Sequence, residues 1–326
     1  MRETLRSFGQ NIARRLPTQL NATIRRLAVA SLIGQITIIL TGGAVRLTAS
    51  GLGCPTWPKC TPESLVNTPE MGIHGFIEFG NRTLTIVLAL IALAMLVALW
   101  NLRHEQRTMF WLAIGLLASI PAQAVVGGIT VLTKLNPWVV GVHFLISATL
   151  VVFATLLVNR AFARPPREMR PASPIIRQLA LASSILVGIT VIIGVMVTGS
   201  GPHAGDPEAP RNGLEPDLIT RIHVLPVYLL VISAVLLAVL AWRRGSGDLL
   251  RRGSLLQVAA VFAQGLIGYV QNATGLPILL VGMHLLGSAL LLAATTNMTD
   301  LAFRSGKDPA TPSAKPQLEE SGTASG

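Results

Sequence analysis

The chain has 326 residues, of which 51% are hydrophobic and only 13% charged, with a mean hydropathy of +0.59. That composition excludes a water-soluble globular domain and fits an all-α polytopic membrane protein embedded in a lipid bilayer. The net charge of +11 would suggest a nucleic-acid partner in a soluble chain, but here the basic residues follow topology, so no nucleic acid is expected.

Residues 1-26 form a basic arm, expected to lie against anionic lipid on the cytoplasmic side. Charge-free runs then follow at Leu27–Val45, Thr83–Leu102, Thr108–Thr133, Leu135–Asn159, Gln178–Gly205, Ile222–Trp242 and Gly253–Thr299. About 20 apolar residues suffice to cross the hydrocarbon core as a helix. The last run, 47 residues long, is too long for one span. The segment Gln271-Asn272-Ala273-Thr274-Gly275-Leu276-Pro277 supplies a turn within it, giving eight transmembrane helices. Twenty Lys and Arg residues fall in the arm, the tail and alternate loops, whereas the other loops hold only Arg46, Lys59, Lys134 and Arg211. This bias predicts cytoplasmic termini. The leader is too polar for a cleaved signal peptide and short for a mitochondrial presequence, so a bacterial plasma membrane is the economical location.

The first helix ends at Thr41-Gly42-Gly43, and the external loop 46-71 holds the only two cysteines, Cys54 and Cys60, with Pro55, Trp57 and Pro58 between them. A compact turn there could bring the sulfurs together outside the membrane. A structural staple and a redox-active dithiol are both open readings, while two cysteines alone make a weak metal site. The second helix opens with His74, Glu78, Asn81 and Arg82 on neighbouring faces. Four polar groups at such a depth must face a cavity, the bundle interior or one another. A self-satisfied Glu78–Arg82 salt bridge is the bland reading; a functional carboxylate lining a polar pocket is favoured.

The third and fourth helices recur. Shifting Ala122–Ala148 by 141 residues without a gap lays Gln123 on Gln264, Gly127 on Gly268, Gly141 on Gly282 and His143 on His284. Two of only six histidines therefore fall in register, which predicts two related halves. The N-terminal four-helix bundle is expected at 27-160, a cytoplasmic linker at 161-177, the C-terminal bundle at 178-299 and a disordered tail at 300-326. In the second half, Thr198-Gly199-Ser200 echoes the end of the first helix, and the sixth helix opens with Arg221 and His223. His203, in the loop between them, is expected to be a solvated loop histidine. An offset of 142 sets His223 opposite Asn81, so one of the paired histidine positions is an asparagine in the first half.

Histidines projecting inward from two helices of one bundle hold a haem with both axial positions filled. His223 and His284 are so placed, and the apolar spans around them offer no cysteine or carboxylate for a zinc or copper site. A membrane electron-transfer cytochrome with two haems, or a haem transporter, would also use paired histidines.

Taken together, Ser50-Gly51-Leu52-Gly53-Cys54 through Trp57-Pro58-Lys59-Cys60, Glu78 with Arg82, Gly141-Val142-His143 and Gly282-Met283-His284 resemble the heme A synthase family, in particular its actinobacterial form. The resemblance covers all eight helices and implies two pseudo-symmetric four-helix bundles. It implies oxidation of a ring methyl of haem O to the formyl group of haem A for cytochrome oxidase. It further implies a haem b cofactor in the C-terminal half with His223 and His284 as axial ligands, and the substrate haem at His143 in the N-terminal half. Glu78 then matches the family's essential carboxylate, and Cys54 and Cys60 its external pair; Arg82, Arg221, Gln123 and Gln264 are supporting polar groups. The partners implied are haem O synthase, cytochrome oxidase assembly factors and an electron donor or acceptor not identified by the sequence. One departure stands out: the wider family has a histidine where this chain has Asn81, so the substrate site keeps His143 alone or recruits His74.

Overall fold

The computed structural model describes residues 16–163, 172–244 and 246–304. Of the disordered tail expected at 300-326, residues 300–304 instead continue the last helix, where Asp300 pairs with Arg160 and Arg304. The rest of that tail, residues 1–15 of the arm and residues 164–171 of the linker lie outside the described residues. Within hydrocarbon every backbone N–H and C=O must be satisfied internally, so apolar runs of this length form helices. Eight are long and apolar enough to span a membrane: α1 Ala22–Leu47, α2 Gly72–Ala98, α3 Arg107–Leu132, α4 Pro137–Ala161, α5 Pro174–Ser200, α6 Pro216–Arg243, α7 Asp248–Ala273 and α8 Ile278–Arg304.

Local chemistry sets where they start. The Asn21 and Asn136 side chains accept from the N–H groups of Ile24 and Trp138, each at 3.0 Å. Glu215 likewise caps α6 by accepting from Asp217 and Leu218. Pro137, Pro174 and Pro216 occupy the first turn of their helices, where no hydrogen bond is lost. Both α2 and α6 begin before their charge-free runs. Their 27 and 28 residues reach about 40 Å at 1.5 Å per residue, longer than a hydrocarbon core of about 30 Å. The polar first turns therefore extend beyond the apolar run and remain helical.

Helices α1–α4 pack in a closed ring, α1 on α2, α2 on α3, α3 on α4 and α4 back on α1, and α5–α8 repeat the arrangement. The rings meet through α4 on α8, α1 on α8 and α4 on α5. A two-fold relation exchanges the last two contacts and maps α4 onto α8. Since each half has an even number of helices, both halves run the same way through the membrane. The repeat extends to detail: Leu135 and Leu276 both adopt φ 60°. Their N–H groups donate to Thr130 and Gln271 carbonyls at 2.7 Å, and the hydroxyls of Thr133 and Thr274 donate to Ile129 and Val270 carbonyls, also at 2.7 Å.

One end of the molecule carries the cysteine loop and is called the disulfide end. Buried hydrophobic clusters fill the opposite end of each ring, around Ile24, Met95, Met109 and Leu157 in the first and Ile176, Leu237 and Met298 in the second. A third, including Ile39, Val151, Leu230 and Ala289, joins the halves at mid-depth. Hydroxyl pairs such as Ser183 with Ser233 at 3.0 Å and Ser184 with Thr299 at 2.7 Å add polar links between helices. Apolar packing is thus concentrated away from the disulfide-end portions of both rings, and the candidate histidines lie in those portions.

Candidate functional site

In the C-terminal ring, His223 stands on α6 and His284 on α8, and the Nδ1 atom of each is buried. A glycine faces each ring. A Cβ built on Gly194 of α5 would fall 3.0 Å from Cε1 of His223, and one on Gly268 of α7 would fall 3.3 Å from Cε1 of His284. Methyl groups so close would push the imidazoles away, so the two glycines keep both rings in place. Gln264 donates from Nε2 to the His284 carbonyl at 3.0 Å, bracing α7 on α8.

The N-terminal ring repeats half of this arrangement. His143 on α4 is faced by Gly127 of α3, whose added Cβ would lie 3.3 Å from Cε1. Gln123 donates to the His143 carbonyl at 3.3 Å and to the Ser147 hydroxyl at 2.6 Å. Opposite His143 the pattern departs. Asn81 on α2 accepts from the Thr41 hydroxyl of α1 at 2.7 Å. Aligning Thr41-Gly42-Gly43 with Thr198-Gly199-Ser200 puts Thr37 where α5 has Gly194, so the glycine that clears space for His223 is absent along with the histidine. His74 is exposed, and its Nδ1 lies 2.8 Å from the Ser50 hydroxyl. That contact turns it toward the loop.

Glu78 is buried, at 5% exposure, and both of its oxygens are engaged. Oε2 accepts from the Cys54 N–H at 2.6 Å and Oε1 pairs with Arg82 at 2.5 Å. Arg82 also donates to the carbonyls of Cys54, Thr56 and Lys59. Cys54 and Cys60 are joined by a disulfide and fully buried. The salt bridge foreseen as the bland reading is therefore present, but it does more than satisfy itself: it fastens the cysteine loop to α2. The same loop lays the Trp57 ring against Gly128, the neighbour of the glycine that faces His143.

The remaining candidates stand apart. Arg221 is exposed, with no polar contact to the others among the described residues. His203, expected to be solvated, is half-buried and its Nε2 lies 2.9 Å from the Leu276 carbonyl, tying the α5–α6 loop to the α7–α8 turn. Sequence reasoning missed Gly194 and Thr37, and it named Thr41 and Ser50 without their contacts to Asn81 and His74. The first three were discoverable by carrying the repeat back into α1 and α5; the partner of His74 depends on how the loop folds.

The Nδ1 atoms of His143, His223 and His284 are buried without a hydrogen-bond partner, and buried polar groups in that state are uncommon. Paired imidazoles on facing helices, with small residues clearing the rings, suit a haem held edge-on in a helical bundle. No group of three or more His, Cys, Asp and Glu able to hold a bare metal ion occurs among the described residues. The donor set therefore fits haem iron.

Comparison with known proteins agrees. The chain is similar to the Heme A synthase of Symbiobacterium thermophilum, with 27% identity over 256 residues, 74% of this chain and 83% of that protein. It is similar to that of Rhizorhabdus wittichii, 26% identical over 329 aligned residues covering 82% and 90%. That of Lysinibacillus sphaericus is 33% identical over 143 residues, 43% of this chain and 45% of the relative. The family described as cytochrome oxidase assembly protein matches residues 25–296, nearly the whole helical region, and the chain belongs to that family.

Proposed function

We propose that this protein is a heme A synthase, a multi-pass membrane oxidoreductase that converts a ring methyl of haem O into the formyl group of haem A for cytochrome oxidase. The observation that carries the reading is the asymmetry between two otherwise repeated halves: the C-terminal half has two buried imidazoles with unpartnered Nδ1 atoms, His223 and His284, whereas the N-terminal half has one, His143, with Asn81 at the repeat position of the other.

In this reading residues 178-299 form the cofactor half, where His223 and His284 hold haem b. The haem would supply an iron centre that exchanges single electrons. Residues 27-160 form the substrate half, where His143 anchors haem O. Asn81, a poor iron ligand already bonded to Thr41, leaves the other side of the substrate clear, and His74 stays with Ser50. Trp57, seated on Gly128, covers the disulfide end of this half. Glu78 serves as the proton acceptor, since turning a methyl into an aldehyde must release protons. The Cys54 and Arg82 donors hold Glu78 as the carboxylate, and each oxygen keeps a second lone pair that can take a proton. The disulfide acts as a staple that presents the Cys54 N–H to Glu78.

The distribution of basic residues supports cytoplasmic termini and a cytoplasmic 161-177 linker, and this reading takes the membrane to be a bacterial plasma membrane. Haem O synthase and cytochrome oxidase assembly factors are the expected neighbours. A di-haem electron carrier is disfavoured because the N-terminal half has Asn81 at the repeat position of His223, its His74 is turned to Ser50, and it carries a buried carboxylate.

The test is expression in a bacterium that makes haem O but no haem A, followed by extraction and reverse-phase chromatography of membrane haems. A haem A peak that depends on this protein is expected; its absence with the protein present in the membrane would refute the proposal.

A further inference from the structure

The chain has only two tyrosines. Tyr228 on α6 and Tyr269 on α7 hydrogen-bond to each other through their hydroxyls. Both are exposed, 52% and 57%, on helices that span the membrane, so they face lipid. Tyr228 follows His223 by five residues, and Tyr269 is next to Gly268, which clears the ring of His284.

Tyrosines that merely anchor a helix at the membrane surface offer their hydroxyls to water and headgroups. These two offer them to one another. Helical side chains lean toward the N-terminus of their own helix, and α6 and α7 run in opposite directions, so the two phenols lean together. A phenol hydroxyl in hydrocarbon is costly unless partnered. Two hydroxyls carry two O–H donors, and the bond between them uses one. The other has no acceptor among the described residues. One turn before Tyr269, a Cβ added to Gly265 would meet nothing, which leaves backbone bare beside the pair. Exposed Leu225 and Leu266 flank it.

We infer that Tyr228 and Tyr269 form a docking site for the head group of a lipid-soluble quinone, which is the electron acceptor of the reaction. The free phenol O–H donates to a quinone carbonyl, the flat ring lies on the apolar flanks and the isoprenoid tail stays in lipid. The inference rests on the heme A synthase reading, and the stoichiometry of that reaction is what calls for such a partner. Two C–H bonds of the methyl are broken, one C=O bond forms with the oxygen of a water, and that water gives up both O–H bonds. Four protons and four electrons are released. Two quinones take them up as two quinols, so the atoms and electrons balance. A quinone accepts both and reaches a lipid-facing site without entering the protein.

The test is photolabelling of the full-length protein in phospholipid nanodiscs with an azido-naphthoquinone bearing a short isoprenoid tail, with labelled peptides located by mass spectrometry. Labelling is expected to concentrate on the segments 225–232 and 262–270 and to be displaced by excess unmodified naphthoquinone. It should fall about fivefold or more in the Tyr228→Phe, Tyr269→Phe double variant, the factor that corresponds to about one lost hydrogen bond. Label spread evenly over all lipid-facing helices, or undiminished in the double variant, would overturn the inference. The wild-type labelling pattern alone decides the matter if the variant does not accumulate. If haem A forms in the expression test but labelling is diffuse, this inference falls and the synthase reading stands; if no haem A forms, the synthase reading itself falls.

Discussion

Glu78 carries two duties that a single substitution separates. Its carboxylate holds the cysteine loop through Cys54 and Arg82, and it is the proposed proton acceptor. In Glu78→Gln the amide oxygen can still accept from the Cys54 N–H, while the ionisable group is lost. The variant is expected to insert and keep its C-terminal haem, yet to yield about 100-fold less haem A, within the range that a lost general base costs. Haem extraction checks this, and a normal yield would reduce Glu78 to a loop anchor. The glycines make a second prediction. Gly194→Val places methyl groups within reach of the His223 ring, which lies 3.0 Å from a bare Cβ, so overpacking of about 1–3 kcal/mol should push the imidazole off its position. The low-spin haem spectrum of the purified protein should be lost, as in His223→Ala. His143, His223 and His284 were visible in the sequence because the repeat put two in register and set the third opposite Asn81. The bonds of Glu78 to the loop were not, since they join residues 24 positions apart through a turn with no periodic signal.

The α3–α4 and α7–α8 hairpins were legible as a repeat from its gapless register, but the positive φ that Leu135 and Leu276 share was not, since nothing in a leucine signals it. The charge-free windows start late for α2 and α6, but the polar residues ahead of them were read as helical. Helix α2 does begin at Gly72, just ahead of His74, with its polar first turns bonded to one another and the loop above. That loop depends on its staple. Alkylation and mass spectrometry of unreduced protein should find Cys54 and Cys60 blocked, with two alkyl groups gained only after reduction. Cys60→Ser should loosen the seat of Trp57 on Gly128 and lower thermal stability in detergent by about 2 kcal/mol, somewhat less than the chain-entropy value for a longer loop. No change in the unfolding midpoint would show that Glu78 and Arg82 hold the loop alone.

The two halves are joined by more than apolar contact. Asp300 of α8 accepts from Arg160 of α4 at 2.8 Å and from Asn159, its own partner in the 141-residue repeat, at 3.0 Å, and it pairs with Arg304 at 2.9 Å. No charge-free window reveals this clamp, because it forms only when the helix runs on past Thr299 to Arg304 and the halves meet. Removing the carboxylate in Asp300→Ala leaves two half-buried guanidinium groups without it. The expected cost is about 2–3 kcal/mol, below the full value for a completely buried pair because both arginines keep some solvent contact. A lower unfolding temperature with normal haem composition would place the clamp in assembly of the halves; altered haem composition would link it to the sites. The division of labour between the halves is tested most directly by extracting the haems from purified His143→Ala and His284→Ala proteins made in a host that supplies both haem b and haem O. His143→Ala should retain haem b and lose haem O and haem A, whereas His284→Ala should lose haem b. Loss of the same haem from both variants would contradict the assignment of one half to substrate and the other to cofactor.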